Sequence, residues 1–485
     1  MNKNIRTLEP IEIWNNFADL NAVPRGSKKE ERVIQFVVDF GKKLNLETLV
    51  DHVGNVIIKK PASKGMENRK TVVLQSHLDM VHQKNSDTNF NFDTEGIKMV
   101  VDGDWVRAEG TTLGADNGIG VAAIMGILAS KTIKHPAIEA LFTIDEETGM
   151  TGAMGLQANY LNGEILLNLD TEDDDEIDIG CAGGIDVTAE NTYHEVGVPV
   201  NSGGFSISVT GLKGGHSGMD IHKGLGNANK IMNRLLYETK EFIRISEING
   251  GSLRNAIPRE SFATISVADS KKDAFIKKIN KISKEIKAEQ ATVDPNLEIK
   301  VSEATKPQTV MTTISQNTLL NTIYAAHNGV YRMSNDMKDL VETSNNVARV
   351  IVKDENVKIM CLTRSSVESS KFDLANALKA TFEMAGYTVT LSGSYPGWKP
   401  NINSPILKIL TETYEKLFKQ KADVVACHAG LECGILGANY PEMDMISFGP
   451  TIQGAHSPDE KANIKSSQKF WKFLLEILEN IPVKK

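Results

Sequence analysis

Residues 71–80 read TVVLQSHLDM, and they set the architecture. The run 71–74 is β-branched and apolar throughout, as in a strand covered on both faces. It ends in His77 and Asp79, two polar groups at the carboxyl end of a buried strand. Upstream, Val33, Phe36, Val37, Phe40 and Leu44 recur at helical spacing, and 53–58 reads as a strand. Downstream, residues 117–129 (NGIGVAAIMGILA) predict a helix that is apolar nearly all round. Segments 140–144 and 165–169 predict two further short buried strands. Strands separated by helices indicate an α/β sheet with helices on both faces.

Near residue 185 the pattern changes. Segment 205–210 (FSISVT) alternates as a half-exposed strand does. A helix follows at about 223–239. Next come two strands joined near Asn249, Gly250 and Gly251, a Lys-rich helix at about 272–289 and a strand at 297–301. That order, β-α-β-β-α-β, is the split βαβ arrangement. A similar order recurs as a helix at 314–327, strands at 347–353 and 357–363, a helix at 371–385 and a strand at 388–391. SLRN at 252–255 and SNNV at 344–347 sit at comparable places, so internal duplication and coincidence both stay open. The segment 393–401 (GSYPGWKPN) marks a crossing between domains. Alternation then resumes, with a helix at 405–419, strands at 423–427 and 444–448 and an amphipathic helix at 464–480. The expected organisation is one α/β domain made of 1–186 and 396–485, with an α+β domain, 187–395, inserted into it.

Composition narrows the class. At about 150 residues per domain, 485 residues suggest roughly three folding units, or two with one enlarged. Lys plus Arg is 54 and Asp plus Glu is 62, so the net charge is −8, which argues against a nucleic-acid partner. Hydrophobic content of 41% and charged content of 24% are ordinary for a globular enzyme. No run approaches the roughly 18 apolar residues that cross a bilayer, so no membrane partner is expected. The opening residues MNKNIRTLEPIEIW hold no apolar core of a secretory signal. Cys181, Cys361, Cys427 and Cys433 are scattered, with no CxxC pair. A reducing, cytoplasmic setting is the expectation.

Five segments carry the candidate chemistry. In the first, His77 and Asp79 share one side of a strand, where a carboxylate can fix the tautomer of a metal-binding imidazole; the plainer reading is an ordinary strand end. In the second, GTTLGADNGIG at 110–120 pins Asp116 in a glycine-rich turn, and the plainer reading is a helix cap. The third, LFTIDEETG at 141–149, sets Glu146 and Glu147 side by side after a strand, so that one can bind a cation while the other takes a proton. The fourth, ILLNLD, ends a strand in Asp170. The acidic run 172–176 after it reads as solvated loop and lacks the EF-hand spacing. The fifth, GPTIQGAHSPDE at 449–460, presents His456 in a turn-rich loop.

Singly each segment is weak. Jointly they place two histidines and several carboxylates at strand ends, where open α/β sheets collect ligands. Mixed imidazole and carboxylate ligation suits zinc and similar ions. Two divalent cations, three carboxylates and a bridging hydroxide sum to zero charge, so such a site can be buried.

Together these strings resemble the ordered signatures of the two-zinc exopeptidases that include aminoacylases and carnosinases. GGHSG around His216 and HAGLECG at 428–434 are similar to the bacterial aminoacyl-histidine dipeptidases. The resemblance spans nearly the whole chain. It implies a zinc-exopeptidase fold, with a mixed sheet flanked by helices and the insert serving as lid and dimerisation domain. It implies that Asp116 bridges two metals, His77 and Asp170 complete one, and Glu147 and His456 complete the other. Asp79 would orient His77, and Glu146 would be general base and acid. His216 would polarise the scissile carbonyl, while Asn255, Arg364 and Gly430 would hold the substrate. The metals would be zinc, with manganese or cobalt as alternatives. The implied activity is hydrolysis of Xaa-His and other short unblocked dipeptides in the cytoplasm, by a chain that pairs as a homodimer. Two alternatives stand beside it: a deacylase or amidase on N-acyl amino acids, and a non-catalytic metal-dependent binding protein. His52, His82, His135 and His222 lie outside the strings and read as structural or surface residues, and His428 reads as no ligand.

Overall fold

The computed structural model describes residues 4–484. The chain divides into two compact units. The first takes the residues up to Gly180, then Pro400–Ala426 and the residues from Leu431 onward; the second is Cys181–Lys399 with Cys427–Gly430. The sequence places the crossings at 186/187 and 395/396, whereas the units divide at 180/181 and 399/400. The reason is strand Gly183–Thr192, which pairs along its whole length with Asn356–Ser365 of the second unit.

The first unit is built on an eight-stranded mixed sheet. Its order is Glu47–Val50, Val56–Lys60, Ile138–Thr143, Val72–His77, Ile165–Asn168, Asp444–Ser447, Glu176–Cys181, Asp423–Cys427. Val72–His77 is central and parallel to both neighbours, and Asp444–Ser447 continues in the same direction. Four parallel strands therefore end at one edge, which gathers the loops that carry His77, Glu146, Asp170 and His456. Both Val72–His77 and Ile138–Thr143 are buried at every residue, as their apolar runs require. Helix Ala115–Ala129 packs on Val72–His77 and is buried nearly all round. The strand expected at 53–58 begins later, at Val56, because the Asp51 carboxylate accepts the N–H groups of Val53, Gly54 and Asn55 and turns the chain there.

The second unit is a nine-stranded antiparallel sheet with helices. From one edge the path is Glu298–Ala304, Ser202–Thr210, Ser261–Ala268, Ile243–Gly250, Val341–Lys353, Asn356–Ser365, Gly183–Thr192, Thr388–Tyr395. Gly329–Met333 adds beside Val341–Lys353. One topology occurs twice here. Strands 202–210, 243–250, 261–268 and 298–304 lie in the order fourth, first, third, second, with helices Ala228–Thr239 and Lys272–Gln290 as the crossovers. Strands 183–192, 341–353, 356–365 and 388–395 repeat that order around helices Thr313–Ala325 and Glu368–Met384. The copies join through their second strands. Ile207, Leu235, Ile265, Phe275, Leu320, Ile359 and Phe382 share one core. The connection expected at 249–251 is longer, because residues 256–257 leave the hairpin to pair with Gly215–His216.

Candidate metal centre

His77 ends the central strand with its imidazole buried. Its Nε2 lies 3.1 Å from Asp116 Oδ1 and 3.5 Å from Asp170 Oδ1. The other oxygen of Asp116, Oδ2, lies 3.3 Å from His456 Nε2, and that nitrogen is 2.8 Å from Glu147 Oε2. Asp116 thus turns one oxygen toward each of two donor groups. Within His77–Asp116–Asp170, and separately within Asp116–Glu147–His456, the donor atoms lie within 4.8 Å of one another. Glu146 joins His77 and Glu147 at the same range. Asp79 stands behind His77, its Oδ1 being 3.4 Å from Nδ1. The same carboxylate accepts N–H bonds from Glu146 (3.0 Å) and Glu147 (3.3 Å) and the Ser27 hydroxyl (2.7 Å). Its position therefore ties the imidazole to the turn that carries both glutamates.

The donor set suits two divalent cations on three grounds. Each half offers one imidazole and carboxylate oxygens, the ligand mixture of zinc-like ions. Among the described residues, no hydrogen-bond partner reaches the buried Oε1 of Glu147. The site also crowds acids. Burial lifts the Asp170 carboxyl to about 7, against the opposing pull of His77, and Asp116 and Glu147 add to the rise. Burial likewise raises Glu146 well above the carboxylate range against the opposing pull of His77, and Asp170, Glu432 and Glu147 add to the rise. His456 is pushed up to about 11 by its hydrogen bonds to Asp116 and Glu147. Cations placed between these groups would neutralise what the two imidazoles only partly balance.

The second unit holds a separate cluster. His216 Nδ1 accepts the N–H groups of Gly218 (3.2 Å) and Met219 (3.1 Å), so its proton resides on Nε2. Burial and then the Arg364 charge lower its pKa to about 4, which keeps it neutral near pH 7. Arg364 is buried; its Nη1 donates to Tyr395 Oη at 2.7 Å, and its Nη2 lies 3.4 Å from His216 Nε2. Both groups thus offer N–H donors within 3.4 Å of one another. Asn255 is exposed, and its carbonyl accepts the N–H of Ser217. Gly430 closes the short segment Cys427–Gly430 of this unit. His428 in that segment bonds Ser344 Oγ at 2.8 Å and, among the described residues, stands in none of the metal-capable groups.

Several acids and a base escaped the sequence reading. Glu172, expected in solvated loop, is largely buried and lifted to about 8 by burial, Asp116 and Asp170. Glu432 is fully buried and accepts from Gln75 Nε2 (2.6 Å) and Thr143 Oγ1 (2.7 Å). Arg25 and Glu460 are buried against the turn that precedes Asp116. Glu432 and Glu460 lie in strings already singled out, yet nothing in their spacing separates them from surface acids. Of the histidines read as structural, His82 stacks on Phe92 with ring centroids 4.2 Å apart, and His135 is buried against the Pro136 carbonyl.

Residues 73–480 match the family described as Peptidase family M20/M25/M40. The chain is 45% identical over 479 residues to the cytosol non-specific dipeptidase of Escherichia coli (strain K12), a match covering 98% of this chain and 99% of that protein. The crystal structure of aminoacylhistidine dipeptidase from Vibrio alginolyticus superposes with a TM-score of 0.93 at 44% identity, covering 99% of each chain. An aminopeptidase structure from Bacillus cereus, with a TM-score of 0.58 at 16% identity over 98% of this chain and 99% of that one, shares the fold.

Proposed function

The chain belongs to peptidase family M20/M25/M40, and from that premise we propose that it is a cytosolic metallo-dipeptidase that hydrolyses Xaa-His and other short unblocked dipeptides. The observation that carries the reading is Asp116, placed between His77 and His456 with Glu146 beside them. His77, Asp116 and Asp170 would hold one divalent cation, and Asp116, Glu147 and His456 a second, with zinc the first choice and manganese or cobalt the alternatives. Such ions, when bound, lower the pKa of water and polarise a carbonyl. The relatives' names, a dipeptidase and an aminoacylhistidine dipeptidase, support the substrate class.

The chain's own groups then have defined tasks. Glu146 takes a proton from the attacking water at a carboxylate oxygen and returns it to the leaving amine nitrogen. Its raised affinity for a proton, set by burial and neighbouring acids, matches that exchange. Asp79 holds His77 through Nδ1 and fixes the turn bearing Glu146. His216 supplies a neutral Nε2–H to the developing oxyanion, a contribution of about 3–4 kcal/mol for a well-placed donor. Arg364 takes the terminal carboxylate of the substrate, while Asn255 and Gly430 complete its hold. A homodimer paired through the second unit belongs to the same proposal, and sedimentation of a monomer alone would remove that part.

The test is turnover by purified protein, loaded with zinc or manganese, on a panel of dipeptides and N-acetyl amino acids. Cleavage of dipeptides with a free amine supports the reading. Hydrolysis of N-acyl amino acids alone would make it a deacylase, and metal binding without turnover of either class would make it a binding protein.

A further inference from the structure

The turn before Asp116 is gripped from both sides by two buried side chains, Glu460 and Arg25. Glu460 is 2% exposed, and its carboxylate accepts four consecutive backbone N–H groups. Oε2 takes Leu113 (2.7 Å) and Gly114 (2.9 Å), and Oε1 takes Ala115 (2.7 Å) and Asp116 (3.3 Å). Arg25, 1% exposed, meets the same turn through carbonyls. Its Nη2 donates to Gly114 O at 2.5 Å and to Asn21 Oδ1 at 3.1 Å. Its Nη1 donates to Leu78 O and Asp79 O, both at 3.0 Å. Asn21 Nδ2 closes the frame on Leu113 O at 2.9 Å. Gly114 is left-handed (φ +69°), and a Cβ there would collide with the Arg25 guanidinium, so the turn must carry glycine at that point.

These bonds join three distant stretches. Leu78 and Asp79 follow His77, Gly114 and Ala115 precede Asp116, and Glu460 stands four residues after His456. A planar guanidinium fork can hold several carbonyls at once, which an ammonium point charge does not reproduce. A carboxylate accepting several N–H groups is likewise specific, because a carboxamide would turn its NH₂ against donors. Neither side chain is placed to contact substrate through these bonds; all but one of them go to the backbone.

Resting on the metal-centre reading above, we propose that Glu460 and Arg25 are positioning residues: together they fix the Asp116 carboxylate so that each of its oxygens serves a different cation. Groups that orient ligands from outside the coordination sphere govern metal affinity as well as rate.

The experiment uses full-length protein stripped by chelator and titrated with zinc alone in a calorimeter. Uptake of two equivalents by the wild type tests the metal centre independently of the two positioning residues. E460Q and R25K are then compared by zinc affinity, by kcat and KM on a dipeptide, and by circular dichroism of the metal-free fold. The expected result is a loss of roughly 10–100-fold in affinity for both ions, with kcat falling by a similar factor. KM should stay within about threefold, the pattern for a group that does not bind substrate. R25K keeps the charge but not the fork, so its failure to rescue separates positioning from charge alone. Should E460Q not fold, R25K carries the same comparison. Wild-type zinc affinity and kcat in both folded variants would overturn the proposal.

Discussion

Glu146 and Glu147 are adjacent, and the structure gives them different surroundings. Glu147 Oε2 faces His456, while burial, with neighbouring carboxylates adding to it, raises the affinity of Glu146 for a proton. Replacing Glu146 with alanine should lower kcat by about 10²–10⁴-fold, the usual weight of a general base. Zinc content measured on the same sample should remain near two equivalents, and its loss would reassign Glu146 to the ligand set. Asp79→Asn should cost roughly 10–100-fold in zinc affinity or activity, because an amide cannot accept the Glu146 and Glu147 N–H groups with both atoms and also face an imidazole N–H. His77, Glu147 and Asp170 were legible because each is a polar residue that closely follows an apolar strand, and Asp116 and His456 because each sits in a turn-rich segment. Arg25 was not legible, since its partners are mainly carbonyl oxygens and those leave no side-chain pattern in a sequence. Glu172 was misplaced for a related reason: in an acidic run, nothing distinguishes a carboxylate that folds inward from its exposed neighbours.

At the scale of elements, helix Ala115–Ala129 owes its close approach to the central strands to Gly120. A Cβ there would stand 2.6 Å from Leu169 O, next to the residue that presents Asp170. Gly126 on the same helix would meet no backbone among its nearest neighbours, which are the side chains of Trp471, Glu12 and Asn16 at 3.1, 3.2 and 3.7 Å. Gly120→Ala should therefore destabilise by about 1–3 kcal/mol through overpacking and reduce activity, while Gly126→Ala should be nearly neutral. Urea unfolding of both variants checks the contrast, and equal effects would refute it. In the second unit, segment Cys427–Gly430 buries His428, whose pKa falls to about 3 through burial, then Arg364 and His216. A histidine depressed on folding contributes stability above its unfolded pKa near 6.5 and loses it as pH falls toward the folded value. Between pH 7.5 and 5 that loss amounts to about 2 kcal/mol. His428→Asn should show a correspondingly smaller drop in its urea midpoint over this interval. The repeated βαββαβ order was half legible. Its helices and hairpin strands follow clear periodicities, but the first strand of the second copy, Gly183–Thr192, lies before the whole first copy and so outside any local pattern.

For the whole molecule, the acids gathered at one sheet edge link stability to metal and to pH. Asp170 is raised to about 7 and Glu172 to about 8, burial being the first cause in each, while their unfolded values lie near 4. In the metal-free chain these folded carboxyls hold protons that the unfolded chain has released. Their contribution is therefore full below about pH 4 and is lost as pH rises through 7 to 8. His456, raised to about 11 by Asp116 and Glu147, acts in the same direction above its unfolded pKa near 6.5. Chelated protein should accordingly unfold at a lower urea concentration at pH 8.5 than at pH 6. Zinc reverses the slope, because cations bind the ionised carboxylates and neutral imidazoles that high pH supplies. At about 100 times its dissociation constant, each bound ion stabilises by about 2.7 kcal/mol; because that constant falls as the ligands deprotonate, a fixed zinc concentration should stabilise more at pH 8.5 than at pH 6. A metal-free urea midpoint that rises with pH, or a zinc increment that shrinks with pH, would mean that these acids are balanced by the protein itself and that the edge of the sheet is not built around cations.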